Sequence, residues 1–124
     1  MNLRERALQA DDLHKEPISI PEWKFEDGEA FVTTMTAEQK ADLEESVTKI
    51  VKKKGKSDIE IETKKLRVLT VISTLVDAEG KNVFAMSDFA DLSRKSALII
   101  ERIFDLSNKL NSLTAESEEE IEKN

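Results

Sequence analysis

Leu66-Arg67-Val68-Leu69-Thr70-Val71-Ile72-Ser73-Thr74-Leu75-Val76 is the stretch on which the fold turns. Valine, isoleucine and threonine dominate it, and such a run suits a strand buried on both faces. Val68, Ile72, Leu75 and Val76 also stand at helical spacing, so periodicity alone leaves a helix open. The residues that follow favour the strand. Asp77-Ala78-Glu79-Gly80 has the composition of a hairpin turn, and Lys81-Asn82-Val83-Phe84 is a short returning segment. A hairpin over 66–84 is therefore expected.

A second hairpin is expected upstream. Ile18, Ile20, Trp23 and Phe25 alternate with polar residues, and the phase breaks at Pro21, which confines a strand to a sheet edge or a bulge. Glu26-Asp27-Gly28-Glu29 supplies the turn and Ala30 to Met35 the return, so residues 18–35 read as paired strands. Residues 57–65 are polar, with Ile59 and Ile61 alternating, and suit a loop or a short edge strand.

Two main helices flank these strands. Thr36-Ala37-Glu38-Gln39 fits a capping box. From it, Leu43, Val47, Ile50 and Val51 form an apolar stripe up to Lys52-Lys53-Lys54, with Gly55 as the expected C-cap. The last helix carries the clearest periodicity. Ile99, Ile103, Leu106, Leu110 and Leu113 step by three and four, Ile100 and Phe104 widen the stripe, and Arg102, Asp105 and Lys109 face away. Ser93 is its expected cap, and Ser87 that of a small helix over 88–92. A short helix over 3–13 places Leu3, Ala7, Ala10 and Leu13 on one narrow face. The expected architecture is α+β: a small antiparallel sheet of two hairpins packed with two main helices, a short N-terminal helix over 1–15 peripheral to a single domain of residues 1–113, and a flexible acidic tail over 114–124.

Composition excludes several function classes. The chain has 124 residues, 19 basic and 26 acidic, for a net charge of -7. A phosphate-binding surface needs a basic face, so nucleic acid is disfavoured as a partner. There is no cysteine, which removes disulfides, thiol catalysis and cysteine-ligated zinc. The single histidine, His14, cannot build a multi-histidine metal site, and any Ser-His-Asp triad would rest on it alone. Three scattered glycines make no phosphate loop. Asp77-x-Glu79-Gly80-x-Asn82 hints at a calcium loop, but the glycine position would put Leu75 where a carboxylate is needed. Acidic pairs such as Asp11-Asp12 and Glu44-Glu45 read as solvated surface. No segment has signal-peptide or membrane-spanning character. No catalytic, cofactor or metal site is expected, which leaves a small acidic protein-binding domain located most simply in the cytoplasm.

Four ordered segments resemble the tail assembly chaperones of long-tailed, siphovirus-type bacteriophages and prophages. They are Met1 to Leu13; Ile18-x-Ile20-Pro21-Glu22-Trp23 followed by Met35-Thr36-Ala37-Glu38-Gln39; Val76 to Phe84; and Lys109-Leu110-Asn111-Ser112-Leu113 with an acidic stretch ending in Lys123-Asn124. Two features depart from the family pattern. Lys24-Phe25 replaces the usual glycine after Trp23, and Lys52–Lys56 is unusually basic. The resemblance implies a non-enzymatic protein of the host cytoplasm, absent from the mature virion. It implies binding to the tape measure protein until tail tube subunits polymerise around it. It further implies recruitment of the tail tube protein through a longer frameshifted form, with the present chain as the short form, and self-association into a homo-oligomer. In that role the face Leu3, Ala7, Ala10, Leu13 is the expected partner-binding ridge. The competing reading is a small acidic inhibitor, antitoxin-like or a DNA mimic, against which the intermixing of lysines with acids argues.

Charge is uneven along the chain. Five of the acids lie in the terminal tail (Glu116, Glu118, Glu119, Glu120 and Glu122) and eight precede Thr36, leaving the middle close to neutral. That distribution suits a solubilising role better than a substrate site.

Overall fold

The computed structural model describes residues 1–53 and 55–112, with side chains for all of these except 49–53 and 58–60. Leu113 and the acidic tail lie outside the described residues. The protein is α+β. Strands β1 (Lys15–Pro17), β2 (Ala30–Thr33) and β5 (Leu75–Asp77) form an antiparallel sheet in the order β1-β2-β5. Strands β3 (Thr48–Lys53) and β4 (Lys56–Ile61) form a separate hairpin. The helices are α1 (Leu3–Gln9), α2 (Ala37–Val47), α3 (Thr63–Thr74), α4 (Phe89–Leu92) and α5 (Ala97–Asn111).

The deciding stretch is a helix. Residues 63–74 form α3, and only Leu75 to Asp77 continue as a strand. Burial on most sides decides for the helix, and its hydroxyls make that burial tolerable. Thr70 Oγ1 donates to the Leu66 carbonyl at 2.7 Å, Ser73 Oγ to Leu69 at 2.9 Å and Thr74 Oγ1 to Thr70 at 2.7 Å. Each polar group is thereby satisfied within the helix. Val68, Leu69, Thr70, Val71, Ile72 and Thr74 are all buried, so α3 is enclosed on most of its circumference and no polar face marks its period. The expected hairpin over 66–84 is reduced accordingly. Its turn is present, with Gly80 at φ +83°, but β5 pairs with β2, and the return is a single bridge between Val76 and Asn82.

The first hairpin exists in a different register. β1 precedes the expected strand and pairs with β2 through Lys15–Thr33, Glu16–Val32 and Pro17–Phe31. The Ile18 N–H still donates to the Ala30 carbonyl at 3.1 Å, and residues 19–25 then leave the sheet: Pro21–Trp23 is a 3-10 turn, where proline's missing N–H and fixed φ are assets. Ile20 is completely buried just before it.

The α2 cap is as expected. Thr36 Oγ1 accepts from the Gln39 N–H at 3.1 Å and Gln39 Oε1 from the Thr36 N–H at 3.0 Å. The helix stops at Val47, however, and Thr48 to Lys53 become β3 rather than further helix. Gly55, with φ +76°, sits in the β3–β4 turn instead of capping a helix. Both roles ask for the same positive φ, which is why the sequence signal misleads. The alternation around Ile59 and Ile61 is a strand, β4. The Glu62 N–H donates to the Val47 carbonyl at 2.6 Å and closes the hairpin at its base.

Two smaller expectations also shift. Ser87 lies within a 3-10 turn, Met86–Asp88, rather than capping α4. Ser96, not Ser93, precedes α5, while the Ser93 hydroxyl returns to the Phe89 carbonyl.

The core forms where α2, α3 and α5 cover one face of the three-stranded sheet. Ala30 and Val32 of β2 point into it and share it with Leu43, Val47, Val71, Leu75, Ile99 and Ile103. Asn111, at the end of α5, ties the helix layer to the chain between β2 and α2. Its Oδ1 accepts from the Met35 N–H at 2.7 Å and its Nδ2 donates to the Thr33 carbonyl at 3.3 Å.

Candidate functional site

The expected binding ridge is only partly a helical face. The Asn2 side chain caps α1 by accepting from the Glu5 N–H at 2.9 Å, and the helix ends at Gln9. Ala10 is the extended C-cap, with ψ 136°. Asp11-Asp12 follow at the negative end of the helix dipole, where carboxylates oppose continuation. Leu3 and Ala7 therefore share one face of α1, Ala10 marks its end, and Leu13 lies beyond it. Leu13 lines a cleft of about 330 Å³ beside Lys15, Thr34 and Val76. No residue of α1 is buried, and Leu3 and Leu8 are 76% and 70% exposed. The helix is charged along much of its length (Arg4, Glu5, Arg6) and leaves its few apolar side chains, Leu3, Ala7 and Leu8, exposed.

Two surface depressions lie away from α1. One, of about 380 Å³, runs between α2 and α3 over Leu43, Leu69 and Ile72, with Phe84 and the exposed Met86 along its rim. The other, of about 430 Å³, is aromatic. Trp23 stands edge-on to both Phe25 and Phe84, with ring centres 5.9 Å apart in each pair. Val83 and Leu92 complete its apolar wall, and Lys24 and Lys95 stand at its rim. Trp23, Lys24 and Phe25 are neighbours in sequence, whereas Phe84 and Lys95 join them only through the fold, with no local signal to mark them.

The 3-10 turn beneath the aromatic cleft is pinned to α5. Arg102 Nη1 and Nη2 donate to Glu22 Oε1 and Oε2 at 2.8 and 2.6 Å, a two-pronged ion pair. The Arg102 hydrogen bonds, aided by Glu22's own backbone N–H, hold the Glu22 carboxyl down to about 2, and the same bonds raise the Arg102 guanidinium. This is positioning chemistry, each group being engaged by the other.

The remaining titratable features are occupied in similar ways. Asp77 Oδ1 accepts from the Lys81 and Glu79 N–H groups at 2.9 and 3.0 Å, chiefly lowering its pKa through Lys81. The carboxylate that heads the calcium-like sequence therefore holds its own turn. His14 is exposed, at 3.4 Å from Glu16, and its backbone exchanges hydrogen bonds with Thr34. Among the described residues, no group of three His, Asp or Glu is arranged to hold a metal, and no helix is long and apolar enough to cross a membrane.

No protein-family model matches the chain, and no curated protein matches its sequence. Its fold, however, has a solved counterpart. The fold is similar to that of the bacteriophage HK97 tail assembly chaperone. The superposition has a TM-score of 0.60, covers 87% of this chain and 91% of the HK97 chain, and pairs residues at 16% identity. The likeness therefore lies in the arrangement of elements rather than in shared side chains. It agrees with the resemblance carried by the four sequence segments. Within the segment Ile18-x-Ile20-Pro21-Glu22-Trp23, the last four residues form a structural junction: a buried isoleucine, a proline-initiated turn, a carboxylate on Arg102 and an indole on Phe84.

Proposed function

We propose that the protein is a non-enzymatic phage tail assembly chaperone. On this reading it binds the tape measure protein in the host cytoplasm and keeps it soluble while tail tube subunits assemble around it. It then leaves before the tail is complete. The observation that carries the proposal is the likeness to the HK97 chaperone over nearly the full length of both chains. The net charge of -7 supports it, because a carrier of a long apolar-striped protein must keep the complex in solution. The exposure of α1 supports it as well. A helix that buries nothing contributes little to folding, and its Leu3 and Ala7, continued by Ala10 and Leu13, form the apolar contact proposed for the partner.

Co-expression with a helical tape measure fragment tests the reading. The fragment should move from the insoluble to the soluble fraction and co-elute with the chaperone, and Leu3→Ser with Leu13→Ser should weaken the co-elution. A fragment that stays insoluble beside abundant, folded chaperone would remove the proposal. Full retention by the doubly substituted chain would remove α1 from it.

A further inference from the structure

Lys24 is one of two non-glycine residues with positive φ among the described residues, at φ +61° and ψ +29°. This left-handed conformation penalises every side chain with a Cβ, and glycine is its usual occupant. The backbone at this position thus favours glycine, yet the chain carries a lysine. The side chain makes no ion pair among the described residues, and neither does Lys95. Both are exposed at the rim of the aromatic cleft. The carboxylate that lines the same cleft, Glu22, is committed to Arg102. In a chain with seven excess negative charges, two lysines without an ion pair among the described residues thus border an apolar recess floored by Trp23 and Phe84. A strained backbone kept at a binding surface is a recurrent mark of function.

We propose that this cleft docks an acidic peptide segment. One large apolar side chain of the segment packs against the Trp23 and Phe84 rings, and its flanking carboxylates meet Lys24 and Lys95. The charge pattern selects the partner: the recess supplies apolar contact, and the rim attracts carboxylates and repels basic segments. The inference goes beyond the chaperone reading, uses a surface distinct from α1, and does not depend on it.

Trp23 is the sole tryptophan, so its emission reports the cleft directly. The full chain is titrated with a capped synthetic peptide of sequence Glu-Glu-Leu-Glu-Glu, and in parallel with Lys-Lys-Leu-Lys-Lys. The acidic peptide should give a saturable emission change that weakens with added salt, and the basic peptide none. Lys24→Gly and Lys95→Gln should each weaken binding about two- to fivefold, the range for one exposed charge pair. Lys24→Gly should meanwhile leave the melting temperature unchanged or raised, because it relieves the backbone. A flat titration, an equal response to the basic peptide, or unaltered affinity in both variants would overturn the proposal. So would a melting temperature several degrees lower in Lys24→Gly, because the lysine would then be structural.

Discussion

Replacing Asn111 with alanine would cut the polar tie between the end of α5 and the chain joining β2 to α2. The amide makes two long-range bonds, accepting from Met35 and donating to Thr33, on either side of Thr34. It also donates to the Ser107 carbonyl one turn back at 3.0 Å. The side chain is half-buried. Each ordinary hydrogen bond contributes about 1 kcal/mol, and an amide N–H left without a partner costs about 1–3 kcal/mol. The Met35 N–H is the group at risk, and water recovers part of its loss at a half-buried site. The expected destabilisation is about 2–3 kcal/mol. Urea unfolding followed by Trp23 emission and by helical circular dichroism should show a lower midpoint with an unchanged slope. Asn111→Asp sharpens the test. The introduced carboxylate still accepts from Met35 but faces two carbonyl oxygens, so it should destabilise at neutral pH and recover as acid protonates it. A loss below about 0.5 kcal/mol in Asn111→Ala, the scale of an ordinary surface substitution, would refute the clamp.

Three other outcomes follow from the same structure. Glu22 titrates near 2 instead of 4.5 in the folded chain, so its stabilisation is complete above pH 4.5 and is lost as pH falls toward 2. Asp77, lowered mainly by the Lys81 N–H, acts in the same sense. Arg102→Met should therefore flatten the acid limb of a plot of urea midpoint against pH, and an unchanged limb would contradict the assignment. Ile103 is completely buried, and Ile103→Ala should cost about 2–5 kcal/mol by chemical denaturation; a cost below about 1 kcal/mol would mean that the core collapses around the gap. Leu3→Ser combined with Leu8→Ser should move stability by no more than about 0.5 kcal/mol, the usual range for exposed sites. A larger loss would show that α1 packs on the domain in solution.

The parts of the fold legible in the sequence are those whose signals are local. The Thr36–Gln39 capping box, the Asp77–Gly80 turn and the α5 stripe each depend on residues within a turn or two of one another. The apolar run at 66–76 is different, because the choice between helix and strand was made by burial around the whole of α3, and threonine hydroxyls removed the penalty from within. The stripe Leu43, Val47, Ile50, Val51 misled for the opposite reason. Its spacing continues a helix, but β-branched residues ahead of a glycine can equally enter a hairpin. At the candidate sites, Leu3 and Ala7 on one helical face could be read directly, but Leu13, expected on the same helix, lies beyond its end. The aromatic cleft could not, since Trp23, Phe84 and Lys95 meet only after three distant segments pack.

The closure between Val47 and Glu62 has a consequence for how this architecture can vary. Because the ladder runs from the Thr48–Ile61 pair outward, the Val47–Glu62 bond closes it below, and its main contacts are between its own strands, its length is decoupled from the domain beneath it. Residues can be gained or lost there in cross-strand pairs without shifting α2 or α3. The arm can thus change in reach and charge, as the run Lys52–Lys56 already illustrates, while the globule keeps its shape.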